Sequence, residues 1–183
     1  MAFNSLSGLR IKQIASHELT IALFFLLTIH SSAQTHRLLP EEKRCLPLSA
    51  SQQSWLPEAW HPFFQYTRVC QVRSAKHKPV LLVVSVWAPL YYRAQPGSSV
   101  PQAQMPNPLL LSPSGEARGS LPYNFPDDPP ATLRVTFAEW RSDFPHRIDL
   151  YLSDPRASGN RALPALHWSS KEKKFASDQD GDS

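Results

Sequence analysis

Nucleophilic or acid–base catalysis needs a histidine within reach of a nucleophile or a carboxylate. Beyond residue 33 the histidines are His36, His61, His77, His146 and His167, scattered and with no H-E-x-x-H spacing. His146 and Asp149 are three positions apart, which on a regular strand places them on opposite faces. No G-x-S-x-G motif occurs, and the nearest Ser/Gly cluster, Ser112-Pro-Ser114-Gly115, reads as a turn. Asp178-Gln-Asp180-Gly-Asp182 starts like a calcium loop but lacks the downstream bidentate glutamate and flanking helices, so it reads as a solvated tail. The cysteines have no quartet spacing for zinc. No catalytic residue, metal or cofactor is expected from these patterns.

Three other groups of residues carry chemistry. Cys45 and Cys70, the two cysteines of the chain, are expected to form a disulfide, because neither lies in a C-x-x-C arrangement or has a histidine partner nearby in sequence. Closing that loop removes unfolded-state entropy worth about 3.5 kcal/mol on the chain-entropy model. Arg68, Arg73, Lys76, His77 and Lys78 form the densest basic stretch. They would suit a polyanion, although a solvated turn between two strands is the commoner meaning of such a cluster. Aromatics do not interleave with these cations, so nucleic acid is not expected. Finally, Tyr91, Tyr92, Tyr123 and Phe125 bracket a proline-rich segment. On rigid loops they would pack on an extended peptide or stack on sugar rings; the competing role is to cover the sheet.

The elements that must position these residues begin after a leader. Residues 1–33 read as a cleaved signal peptide: Arg10 and Lys12 are basic, Leu19 to Ile29 is apolar, and Ser31-Ser32-Ala33 is a small-x-small site. That apolar run is too short to span a bilayer, so no stable membrane span is expected after cleavage. The mature chain would start at Gln34 in an extracytoplasmic compartment, either periplasm or external medium. Losing Arg10, Lys12 and Glu18 from the 19 basic and 15 acidic residues leaves a net charge of +3. That is too small to force binding to nucleic acid or an anionic membrane. No N-glycosylation sequon is present in the mature chain.

Residues 34–175 are read as one β-rich domain and 176–183 as an acidic disordered tail. Eighteen prolines against six glycines disfavour long helices. Ser51 to Trp60 allows one short helical turn, with Ser51 or Ser54 as cap. Tyr66–Arg73 alternates as a strand, and the continuous β-branched run Val80–Ala88 predicts a central strand covered on both faces. Ten of the 42 residues from Pro89 to Pro130 are proline, which predicts two long loops around one short strand, Leu109–Leu111. Leu133–Ala138 and Arg147–Leu152 alternate cleanly and predict an antiparallel hairpin, its turn lying within Arg141–His146. Asp154-Pro155 and Ser158–Asn160 read as a loop. Leu166–Trp168 and Lys173–Phe175 predict a second hairpin. The expected fold is mainly β, a small antiparallel sandwich-like or partly open domain with long proline-rich loops.

With no motif naming a reaction, the expected function is non-catalytic: binding or scaffolding a protein or cell-envelope polymer outside the cytoplasm. The alternatives are a small secreted hydrolase whose residues converge only in three dimensions, and an inhibitor or immunity-type protein. Intact mass of protein from its native compartment should correspond to a chain starting near Gln34, with both thiols oxidised. A full-length mass, or two thiols alkylated without reductant, would contradict that reading.

Overall fold

The strand on which the layers are built is β4, Pro79–Val86, whose residues from Leu81 onward are all buried. β-Branched and leucine side chains on both its faces need an apolar layer on each side, and both layers are present. The computed structural model describes residues 36–38, 45–101, 104–122, 132–154 and 159–177. Leu81 and Val83 point into a cluster shared with Val135, Phe137, Ile148 and Leu150. Leu82, Val84 and Val86 point the other way, into a cluster with Trp60, Phe63, Tyr66 and Met105.

Two five-stranded antiparallel sheets produce this layering. The first orders β2 (Cys45–Pro47), β3 (Thr67–Arg73), β4, β5 (Leu109–Leu111) and β6 (Ala117–Ser120). The second orders β1 (His36–Leu38), β7 (Thr132–Arg141), β8 (Phe144–Asp154), β9 (Gly159–Ser169) and β10 (Lys174–Ser177). Their inner faces enclose the first cluster. The outer face of the β4 sheet is covered by a 3₁₀ helix, Glu58–Tyr66, and by α2, Ala88–Ala94, which follows the four-residue α1, Ala50–Gln53. The outer face of the β7–β8 sheet carries polar side chains, among them Arg134 over the Tyr151 ring and Arg147 paired with Asp149 and Glu139. Along one edge β6 lies against β10. A Cβ at Gly119 would sit 2.8 Å from the Phe175 carbonyl oxygen, so only glycine permits that approach.

The sequence-based expectations for the strands hold closely. In the β7–β8 hairpin Leu133 pairs with Leu152, Val135 with Leu150 and Phe137 with Ile148. The terminal hairpin pairs Phe175 with Trp168. Cys45 and Cys70 are direct cross-strand partners with Cα atoms 4.3 Å apart, and they are disulfide-bonded. That separation is the spacing of a non-hydrogen-bonded antiparallel pair. A buried disulfide of this kind fits a compartment outside the cytoplasm. No described helix is long and apolar enough to cross a membrane.

Several local expectations are corrected. The N-cap of α1 is Ser49, not Ser51 or Ser54: its hydroxyl accepts from Gln52 N while the Gln52 side chain accepts from Ser49 N, a capping box. Pro89 opens α2 rather than a loop, since proline in a first helical turn lacks only an N–H that would be unsatisfied anyway. The proline-rich segment contains a second strand, β6. The β7–β8 turn tightens to Ser142–Asp143, with φ of 50° and 67°, the left-handed pair of a type I′ hairpin. β9 begins at Gly159 and accommodates Pro164 at an irregularity in its pairing with β8. Ala176 and Ser177, expected to open the tail, pair in β10. Residues 1–33, expected from sequence to be a signal peptide, and residues 178–183 lie outside the described residues.

Two substitutions test the packing. Phe137→Ala should lower unfolding stability by about 3–5 kcal/mol in denaturant titration; a loss below about 1 kcal/mol would mean Phe137 is not core. Gly119→Ala should cost about 1–3 kcal/mol, because β6 must move from β10 to admit a methyl group. An equal stability for that variant would show that the two edges are not in contact.

Candidate functional site

Antiparallel hairpins place alternate turns at opposite ends of a sheet. Here four turns meet at one end: Ser74–Lys78 after β3, Ser112–Glu116 after β5, Ser142–Asp143 after β7 and Ser170–Lys173 after β9. Each is closed by its own chemistry. Ser74 N donates to the Lys78 carbonyl and His77 N to the Ser74 carbonyl, with His77 at φ 60°. The Ser112 hydroxyl accepts from Glu116 N and lies 2.8 Å from the Ser114 hydroxyl. Gly115 in that turn presses on Trp55, whose ring leaves no room for a Cβ. Lys173 takes a left-handed φ of 54°.

Contacts across the sheets hold the four turns together. Lys76 Nζ is 2.9 Å from an Asp143 carboxylate oxygen, joining the first turn to the third. Hydrogen bonding and charge from Asp143 raise the Lys76 pKa, so the ammonium stays protonated. With Lys76 73% exposed, this pair contributes little stability and serves mainly to fix position. Arg118, which follows the second turn, donates to the Lys173 carbonyl at 3.2 Å in the fourth and is salt-bridged to Glu116. Its guanidinium lies over the Trp168 ring, 5.9 Å from the centroid.

Between these turns opens a cavity of about 560 Å³, within the size range of ligand-binding pockets. Val80, Ser112, Pro113, Arg118, Phe144, His146, Trp168, Ser170 and Lys173 line it. Phe144 meets Trp168 edge-on at 4.8 Å and both rings contact Phe175, so the aromatic floor continues into the inter-sheet core. No carboxylate is among the described residues that line it, and Arg118 at its wall is paired with Glu116.

Basic residues outnumber acidic ones on the turns around this opening. Arg73, Lys76, Lys78, Arg118, Arg141, Lys171, Lys173 and Lys174 stand on or beside the turns, and Glu116, Glu139, Asp143 and Glu172 are the acidic residues among them. Lys78, Lys171, Lys173 and Lys174 have no carboxylate in ion-pair range among the described residues. On the outer face of the β7–β8 sheet, by contrast, Arg147 is held by Asp149 at 2.9 Å and Glu139 at 2.7 Å, and those partners, Asp149 foremost, raise its pKa.

The residues singled out from sequence divide between regions. Arg73, Lys76 and Lys78 join the cavity end. Arg68 does not: it lies at the far end of β3, its guanidinium donating to the Thr67 and Gln65 carbonyls. Five residues of strand separate it from Arg73, about 17 Å. Tyr91 and Tyr92 are half-buried on α2 against the outer core layer; Tyr91 touches Phe63 and Tyr66, and its hydroxyl is 3.0 Å from that of Ser98. The Tyr92 hydroxyl donates to the Val100 carbonyl. Tyr123 and Phe125 lie outside the described residues. Sequence reasoning passed over Arg118, Phe144 and Trp168, because nothing in linear order links Arg118 to Trp168; the one signal was the terminal hairpin, which places Trp168 and Lys173 beside one turn. No protein-family model, curated protein or solved structure matches this chain.

Proposed function

We propose that this chain is exported, loses its leader, and acts as a non-catalytic binding domain for an envelope or secreted macromolecule, engaged through the end where the four hairpin turns meet. The observation that carries the reading is the coincidence of cavity and charge: an aromatic-floored opening with Lys173 at its wall and Lys78, Lys171 and Lys174 on or beside the surrounding turns, none in ion-pair range of a carboxylate among the described residues. Unpaired cations gathered at one end repel each other and are compensated when an anionic partner arrives. Rigid sheets presenting turns are a common way to hold a recognition surface.

A charge-reversal variant tests this. Lys78→Glu, Lys171→Glu and Lys174→Glu together alter exposed side chains and should leave the melting temperature nearly unchanged. The oxidised protein is immobilised and exposed to the extracytoplasmic fraction of its native cell. The parent should retain a macromolecule that the triple variant releases, and an Arg68→Glu variant, which reverses a charge at the far end of β3, should retain it. Equal retention by the folded triple variant would refute the reading.

A further inference from the structure

We infer that the cavity takes an acidic sugar of a polyanionic glycan, an inference that rests on the binding role proposed above. Three features of the opening call for that chemistry together. Trp168, Phe144 and His146 supply ring surface of the kind that packs against the C–H faces of a pyranose. Arg118 and Lys173 supply cations at the rim for a carboxylate or sulfate on that ring, and Arg118 is preorganised by Trp168, Glu116 and the Lys173 carbonyl. Ser170 adds a hydroxyl suited to hydrogen bonding with sugar hydroxyls. The opening is wide and lies among lysines of the neighbouring turns, which suits a chain running through it with charge repeating along its length. A free small anion would use the cations and leave the rings idle. A nucleic acid strand would call for a row of stacking platforms, and the cavity has one aromatic patch.

Lys173 gives the sharpest indication. It holds a left-handed φ of 54°, a conformation that glycine adopts without strain, and yet the position carries a side chain at the cavity wall. Its carbonyl, not its side chain, anchors Arg118. Lys173→Gly therefore removes the ammonium, relieves the backbone and preserves the Arg118 contact.

The full chain, expressed in an exporting host and purified oxidised, is titrated with polygalacturonate, dextran sulfate, neutral dextran and single-stranded poly-dT. Polygalacturonate or dextran sulfate should bind, more weakly as salt rises, and neutral dextran should not. The preferred polymer separates a carboxylated from a sulfated sugar. Lys173→Gly should weaken binding about tenfold or more while its melting temperature stays level or rises. A galacturonate trimer, or a sulfated disaccharide if dextran sulfate is preferred, should change tryptophan fluorescence in the parent and not in Trp168→Phe. If neither glycan binds, or poly-dT binds as tightly, or Lys173→Gly binds like the parent, the inference is overturned. Should neither glycan bind while the lysine-dependent capture described above persists, the binding role stands and only the glycan is wrong. Loss of that capture removes both.

Discussion

Double burial of β4 is the constraint on which the rest of the structure depends. A strand with Leu81, Val83, Leu82, Val84 and Val86 all out of water cannot face solvent on either side. One face is satisfied by the second sheet, whose Val135, Phe137, Ile148 and Leu150 arrive on a long hairpin. The other needs a cover that the two sheets cannot supply, and Trp60, Phe63, Tyr66 and α2 provide it. The connections before β3 and after β4 are therefore structural rather than idle. Thr67 illustrates how closely they are tied to the sheet: fully buried at the start of β3, it satisfies its hydroxyl on the Phe63 carbonyl of the 3₁₀ helix.

What could be read from the sequence follows from where the deciding forces act. The β7–β8 register was legible because period-two alternation leaves one solution; a shift by one residue would put Phe137 and Ile148 in water. The Cys45–Cys70 bond was legible because two thiols admit one pairing. Helix α2 was not, because its stabilisation is tertiary: Tyr91 and Leu90 pack on the outer cluster, and seven residues have little helical preference alone. The candidate site was legible only in fragments. Arg73, Lys76 and Lys78 adjoin in sequence and stay together, but Arg118 meets Trp168 through the β6–β10 approach, which depends on a hydrogen atom at Gly119.

The turns at the cavity end sacrifice backbone comfort. His77, Ser142, Asp143 and Lys173 all have positive φ, each disfavoured for a side-chain-bearing residue by roughly 1–2 kcal/mol. Asn-Gly would suit the type I′ turn at 142–143 better. Asp143 uses its strained position to reach Lys76 across the sheets, and Lys173 uses its own to stand at the cavity wall. Side chains held where glycine would be easier cluster at recognition sites more than on inert scaffolds.

Such strain and charge at one end need a firm scaffold behind them, and β2 is one of its short edge strands. It has three residues, lies at a sheet edge, and shows Leu46 60% exposed. Hydrogen bonds from so short a strand would fray. The disulfide removes that freedom by fixing Cys45 opposite Cys70 inside the inter-sheet core, while Pro47 at the end of β2 lacks the N–H that another chain's edge would pair with. Edge protection by Pro47 and core integrity by the disulfide thus meet in one three-residue strand. Because β3 runs from that bond to the basic turn at Ser74–Lys78, the bond also anchors one of the four turns around the cavity.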